Sequence, residues 1–303
     1  MSLGRPNFNL FRLEVFKTVV DRGGFSAAAE QLGISQPSVS YHMRALEETL
    51  GGQVVVYRDR EVHLTPEGQE LYSTAVSILL DAERLVQALD GLRTGRRGSL
   101  ALGVSIAFEH KFFFDLVFAP FLDAHDDVGV TLTFGHSNHL TELVAAGRLD
   151  VAYVNDWLVP TGTRYQYLHS SKMVFWVSDD HPLALRDSVT PEEVGSAGLL
   201  TAPTEESEWQ AFYGLLRSAG IRDPRIRVEI DGVQARKLAT EAGLGVFGTF
   251  LPPYAGPDAM APLKALLLSS ETPTIDFGLV VKADRAPTPV MSDFTEWMAT
   301  VVA

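Results

Sequence analysis

A chain of 303 residues, 46% apolar and 21% charged, can bury a sizeable core and suits two or three domains. It has no cysteine, which excludes disulfides, cysteine-held zinc and thiol redox sensing together. The formal charge of −13 argues against bulk attraction to nucleic acid, so any such contact must come from local charge.

No apolar run is long enough to span a bilayer, and no charged-then-apolar leader follows Met1. The chain is therefore expected in the cytoplasm, with no membrane partner. Up to Thr65, seven basic residues (Arg5, Arg12, Lys17, Arg22, Arg44, Arg58, Arg60) face seven acidic ones (Glu14, Asp21, Glu30, Glu47, Glu48, Asp59, Glu61). This N-terminal piece is neutral and the excess acid lies downstream. Arg44, Arg58 and Arg60 can still share one face.

In chain order, Leu10, Leu13, Phe16 and Val20 predict a first helix that covers the next two. Ser26 is placed to cap a short helix from Ala27 to Leu32, whose three alanines permit close helix approach. Gly33 then supplies a turn. Ser35 caps the following helix, and Pro37 in its first turn gives up no needed N–H. Val39, Met43, Leu46 and Leu50 fall at i, i+4, i+7 and i+11 as an inward stripe, with Pro37, Ser38, Tyr41, Arg44 and Ala45 pointing away. Short helix, glycine turn and amphipathic helix make a helix-turn-helix, a geometry that ordinary helical corners share. In a major groove, Gln36, Ser38, Ser40 and Tyr41 can donate and accept at base edges. Arg44 and the two serines can reach phosphates.

After Gly51-Gly52, the runs Val54–Tyr57 and Val62–Leu64 flank a charged tip, Arg58-Asp59-Arg60, and read as a hairpin or wing. Thr65 as cap and Pro66 in the first helical position open a long helix. On it Leu71, Ala75, Ile78, Ala82, Leu85, Leu89 and Leu92 are spaced 4, 3, 4, 3, 4, 3, a heptad seam. Such a seam packs either on its own domain or on a second copy. The second is favoured, because a helix between two globular parts has little else to bury against. A symmetric dimer would carry two reading heads for the two half-sites of a palindrome. Arg93–Gly98 reads as a hinge.

From Ser99 on, strands and helices alternate. Strands are expected at Leu100–Val104, Val128–Phe134, Leu149–Val154, Val174–Val177, Ile226–Ile230, Gly245–Phe250 and Phe277–Val281. Helices are expected near Phe112–Phe121, Leu140–Ala146, Trp209–Ser218 and Val233–Ala242. This order implies α/β sheets with helices on both faces, in two lobes, with any ligand at strand ends or between the lobes.

Three motifs point elsewhere and fall short. Gly243-Leu-Gly245-Val-Phe-Gly248 is a literal GxGxxG, but it follows a helix and opens a strand, the reverse of a dinucleotide site, so Gly243 reads as a helix C-cap. Gly103-Val-Ser105-Ile-Ala107 approaches a nucleophile elbow without its last glycine or an oxyanion loop. His136, His139 and Glu142 fit no strong metal signature. No cofactor, no metal and no enzymatic activity are expected.

The run Phe25-Ser26, Ala28-Ala29, Leu32, Ser35-Gln36-Pro37, Val39-Ser40, Leu46-Glu47, Leu50-Gly51 and Leu64-Thr65-Pro66-Glu67-Gly68 resembles the N-terminal domain of LysR-type transcriptional regulators, without a gap over residues 8 to 70. Gly147–Ala152, His181-Pro182-Leu183-Ala184 and Ala242-Gly243-Leu244-Gly245 followed by Pro252 are similar, more diffusely, to the family's effector domain. The resemblance implies a multidomain α/β chain: a winged helix-turn-helix over residues 1–65, a linker and dimerisation helix with hinge over 66–98, and an effector domain over 99–303. The last is two-lobed like periplasmic binding proteins, with lobe I at about 99–168 and 275–303 and lobe II at about 169–274. It implies a sequence-specific regulator that pairs with double-stranded DNA, assembles as a homodimer or homotetramer and senses a small metabolite.

By position the DNA-binding set is Ser35, Gln36, Pro37, Ser38, Ser40, Tyr41, Arg44, Arg58 and Arg60. Gly24 stands where the family usually has Ser, and Tyr41-His42 replace a pair that is commonly basic or amide. Val54, Val55 and Tyr57 stand for Leu, Phe and Arg, so the wing's phosphate contact passes to Arg58. The effector-binding set implied in the same way is Ser105, Ile106, Ser137, Asn138, Asn155, Thr201 and Ala202. Backbone N–H groups after Ser105 can meet an acidic ligand, although Ser, Thr and Asn also serve simply as caps. The competing expectation is a ligand-binding protein or α/β hydrolase whose N-terminal helices only dimerise it.

Overall fold

The computed structural model describes residues 9–58, 61–94, 98–157, 159–186, 188–203, 207–255 and 260–302. Its contacts divide the chain into two compact units, a first that runs to Asp90 and a second that opens at Gly91.

The first unit holds α1 (Leu10–Asp21), α2 (Phe25–Leu32), α3 (Gln36–Leu50), a hairpin of β1 (Val55–Arg58) and β2 (Glu61–Leu64), and α4 (Pro66–Thr94). Val15, Phe16 and Val19 of α1 are fully buried, whereas Leu10 is exposed and Val20 half-buried. The inward face is thus rotated from the expected stripe, because α1 packs on both α2 and α3 and needs a wider apolar arc. Helix α2 begins two residues early, at Phe25, and its cap position is Gly24 with no side-chain bond, so Ser26 is not the cap. Gly33 closes α2 at φ +65, a left-handed conformation that favours glycine. Leu50, the last residue of α3, is exposed rather than part of the inward stripe, since α3 outruns the core beneath Val39, Met43 and Leu46.

Thr65 caps α4 by accepting the Gly68 N–H through its hydroxyl at 3.0 Å. A Cβ at Gly68 would stand 1.9 Å from the Val54 carbonyl oxygen, so only glycine lets α4 leave the hairpin this closely. The expected seam divides in two. Ala75 is fully buried and Leu71 half-buried within the head's own core, together with Tyr72 and Leu79. Ile78, Leu85 and Leu89 are exposed and Ala82 half-buried. The Leu92 side chain, Arg60 and the middle of the expected hinge lie outside the described residues.

The second unit is one mixed sheet with the strand order β4-β3-β5-β11-β6-β9-β7-β8, and β10 on β6. Strands β3 (Gly98–Ser105), β4 (Val128–Gly135) and β5 (Val151–Asn155) are parallel, as are β7 (Leu199–Thr201), β8 (Ile226–Glu229) and β9 (Val246–Leu251). These two parallel halves are joined by antiparallel β6 (Thr163–Val177) and β11 (Thr274–Lys282), with β10 (Lys264–Leu266) along the end of β6. Between strands lie α5 (His110–Phe112), a π-helical turn (Phe113–Phe118), α6 (Ala119–Ala124), α7 (Ser137–Ala145), a 3-10 turn (Pro182–Leu185), α8 (Pro191–Ser196), α9 (Ser207–Ser218) and α10 (Val233–Glu241), and α11 (Pro289–Val301) follows the last strand. The halves are thus the expected two-lobed α/β arrangement. The largest departure is β6, expected only at its last four residues and in fact 15 long.

Candidate nucleic-acid interface and ligand cleft

In the head, Ser35 accepts the Ser38 N–H at 3.3 Å and fixes the start of α3. Val39, Met43 and Leu46 then anchor one side of the helix, each contributing on the order of 1.5–3 kcal/mol by burial. The opposite side is open. Ser35, Gln36, Pro37, Tyr41 and Arg44 are exposed, and Ser38 and Ser40 half-buried. Tyr41, 64% exposed, sits at the centre of this side. Its ring meets the edge of His42 at 5.4 Å, and His42 in turn meets Phe11 of α1 at 5.0 Å. Gln36 donates to the Ser40 hydroxyl at 3.0 Å, which sets both side chains along the helix.

Gln36, Ser40 and Arg44 form one wall of an open groove whose other walls are Gly23–Ala27 and Val55–Tyr57. Glu47 holds the groove's shape by accepting the Val54 N–H at 3.1 Å. Arg58, at the end of β1, is exposed and paired in register with Glu61. Sequence reasoning missed the part played by Arg22 and the Gly23-Gly24 turn, which bring the uncapped start of α2 to this groove. The signal was the glycine pair ahead of a helix that lacks a capping side chain.

In the second unit, a cleft of about 430 Å³, counting the part open to solvent, is lined by Ile106 and Ala107 after β3, His136 after β4 and Trp157 after β5. The facing side is Phe212 of α9, Asp231, Gly232 and Arg236 around the start of α10, and Gly248, Thr249 and Phe250 of β9. His136 Nε2 lies 3.7 Å from an Asp231 carboxylate oxygen. Thr249 donates from its hydroxyl to the Ala107 carbonyl at 3.0 Å. Glu109, almost wholly buried, accepts from Gln234 and lies 3.4 Å from Lys237.

Of the seven effector residues expected, Ile106 alone lines this cleft. Ser105, Ser137 and Asn155 come together one layer beneath: the Ser137 hydroxyl donates to that of Ser105 at 2.9 Å and accepts the Asn155 N–H at 3.4 Å. All three are buried, and the Asn155 side-chain nitrogen has no partner among the described residues. Asn138 accepts the His139 N–H within its own turn at 2.7 Å. Thr201 accepts from the Tyr213 hydroxyl at 3.5 Å, and Ala202 is fully buried. His136, Trp157 and Arg236 were missed, because nothing in the local pattern of a turn or a helix face tells which cleft it borders. Ser105, the would-be nucleophile, is fully buried. Gly243 follows α10 at φ +74 and precedes β9, the helix-to-strand order that excludes a dinucleotide fingerprint. Among the described residues no group of three His, Asp or Glu is placed to hold a metal ion, and no helix is long and apolar enough to cross a membrane.

Behind the cleft, the Tyr153 hydroxyl shares a hydrogen bond of 2.6 Å with His169 Nε2 and one of 3.1 Å with the Tyr254 hydroxyl. His169 stacks on Phe277, 5.8 Å away. Burial pushes the imidazole pKa down to about 4, against weaker support from Asp276, and raises the Tyr153 phenol.

A winged helix-turn-helix with an open polar face, joined by one long helix to an α/β unit with a cleft at its strand ends, defines a one-component transcriptional regulator. The comparisons agree. Residues 10–69 match the bacterial regulatory helix-turn-helix model of the lysR family, and residues 93–303 match the LysR substrate binding domain. The chain belongs to the LysR family. It is 28% identical over 244 residues to a probable RuBisCO transcriptional regulator from Emiliania huxleyi, covering 78% of this chain and 77% of that one. It is 26% identical over 238 residues to the transcriptional activator protein LysR of Escherichia coli (strain K12), covering 78% and 76%. In fold it is similar to the crystal structure of CbnR, a LysR family transcriptional regulator, with a TM-score of 0.68 at 20% identity over 98% of this chain and 100% of that one.

Proposed function

We propose that the chain reads a promoter by laying the open side of α3 in the major groove. The carrying observation is that side itself: Tyr41 is exposed at its centre while Val39, Met43 and Leu46 hold the helix from behind. Ser35, Gln36, Pro37, Ser38, Ser40 and Tyr41 meet base edges and sugars, and Arg44 with Arg58 meets phosphate. The N–H groups at the uncapped start of α2 take a further phosphate across the groove. CbnR has been solved in full-length form with its target DNA, which supports this reading by likeness of fold.

The exposed half of α4, with Ile78, Leu85 and Leu89, pairs with a second copy and sets two heads for two half-sites. The linker and effector domains divide near residue 98. A small effector enters the cleft between Ile106 and Arg236 and shifts the assembly toward the arrangement it binds more tightly. Regulation, not catalysis, is the activity. Footprinting on the chain's own upstream region tests this. A protected site with two-fold symmetry is expected, and no protection at low salt overturns it.

A further inference from the structure

We propose that Glu109 is a positioning residue that clamps the two parallel halves across the cleft, and that an effector seats only when Gln234 and Lys237 release it. The inference rests on the regulator reading above and concerns how entry to its cleft is controlled. The space in the cleft open to the centre of a water molecule is about 30 Å³, room for about one or two waters. An effector of several non-hydrogen atoms therefore needs the walls to part. The halves are joined in the sheet through β6 and β11, the strands about which such an opening can turn.

The segment after β3 holds on to both sides. Phe108, almost wholly buried, packs edge-on against Tyr153 of β5 and Phe277 of β11, with ring centres 5.3 and 5.6 Å away. His110 donates to the Ser105 carbonyl at 3.0 Å and folds the segment back on its own strand. With the segment anchored there, its remaining acceptors turn to the other half. The Ala107 carbonyl accepts from Thr249 of β9 at 3.0 Å. The Glu109 carboxylate accepts the Lys111 N–H at 3.2 Å, which starts α5, and also accepts from Gln234 of α10. Its second oxygen lies 3.4 Å from Lys237 Nζ, one turn further along α10.

Burial ranks the charged contacts that cross the cleft. The Glu109 and Lys237 side chains are 4% and 16% exposed, whereas those of His136 and Asp231 are 22% and 62% exposed. Attraction at a given spacing grows several-fold as water is excluded, and pairs in open solvent contribute little. Glu109 with Lys237 is therefore the stronger of these two ties. Opening the cleft readmits water to both charges and offsets much of the attraction lost. The clamp is thus a bias that ligand binding can overcome, not a lock.

The test is amide hydrogen exchange of the full-length protein, read by mass spectrometry over residues 105–111 and 230–238, the two sides of the clamp. Glu109→Gln keeps an oxygen for Gln234 and removes the charge. It is expected to speed exchange on both sides by about 5-fold or more, the size of an ordinary coupling between two arrangements. Lys237→Gln is expected to do the same, and the double variant no more than either alone, because one contact is lost in all three. Acrylamide, a neutral solute larger than water, is expected to quench the emission of Trp157 more strongly in both single variants, with Trp157→Phe defining that emission. Arg285→Gln is the control. It breaks a similarly buried pair, Arg285 with Asp150 at 2.8 Å, at the far end of β5, and is expected to leave both readouts at the cleft unmoved. Unchanged exchange and quenching in folded Glu109→Gln, equal acceleration in Arg285→Gln, or additive effects of the two charge removals overturns the proposal. Lys237→Gln decides the matter if Glu109→Gln does not fold, since Lys237 lies nearer the surface. A gel shift on the upstream DNA separates the failures. Retained DNA binding with an unmoved cleft sinks this inference alone, whereas no DNA binding by the unaltered protein sinks the regulator reading.

Discussion

Two stretches of α4 carry the same spacing of apolar residues and meet opposite fates. From Leu71 to Leu79 the helix closes the head's core, with Ala75 fully buried and Tyr72 bonded to Asp21 of α1. From Ile78 to Leu89 the same seam faces outward, with Leu85 61% and Leu89 48% exposed. A heptad therefore states that a helix has a partner, not which partner. The sharpest way to break this contrast is a charge at each end. Ala75→Asp places an unpaired carboxylate in the head's core and is expected to cost several kcal/mol, enough to unfold the head in a urea melt. A native-like melt would mean that this part of α4 is not core.

Leu85→Asp makes the same chemical change on the exposed half. The head's melt should not move, while self-association weakens by about 30-fold, or ~2 kcal/mol, in sedimentation. Unchanged association would leave this half without a second copy to cover it.

The contrast also marks how far the sequence could be read. The head was legible almost to the residue, because its signals are local: Ser35 three before Ser38, Gly33 after the alanine helix, Thr65-Pro66 ahead of α4. Ser26 failed only because the helix starts two residues sooner. In the second unit β6 was largely missed, since its first eight residues, TRYQYLHS, are mostly polar and form neither an apolar run nor a regular alternation. The missed helices α8 and α11 did carry local signals, Thr190 with Glu193 as a capping box and Thr288-Pro289 as cap and first turn. The cleft was illegible for another reason. His136, Trp157 and the segment from Asp231 to Arg236 are far apart in sequence, and only the strand order brings them together.

A second contrast follows for polar groups, between those that act by exposure and those that act by burial. Tyr41→Ala removes an exposed one. It is expected to cost ~1–3 kcal/mol on the specific site and less on unrelated DNA, and equal losses on both would make Tyr41 structural. His169 is the buried counterpart. Its pKa is about 4 in the folded chain, below an unfolded value of about 6.5. The unfolded chain therefore binds the extra proton first as pH falls. Stability is expected to decline from pH 6.5 toward 4 with a slope of at most ~1.4 kcal/mol per pH unit from this residue. His169→Gln should flatten that part of the pH profile in urea melts, and an unaltered slope would place the imidazole in contact with water.

The mildest test falls at the wing, where exposure is greatest and a single charge counts least. Arg58 stands at the end of β1, with no deep packing to hold it. A phosphate contact there releases about one counterion whatever the base sequence. Arg58→Ala should therefore lower affinity on every DNA alike and reduce the log–log salt slope by about one, with base preference intact. A changed preference at unchanged slope would move Arg58 from backbone to base. The reading surface would then extend beyond α3, and the local legibility of the head would have concealed part of its specificity.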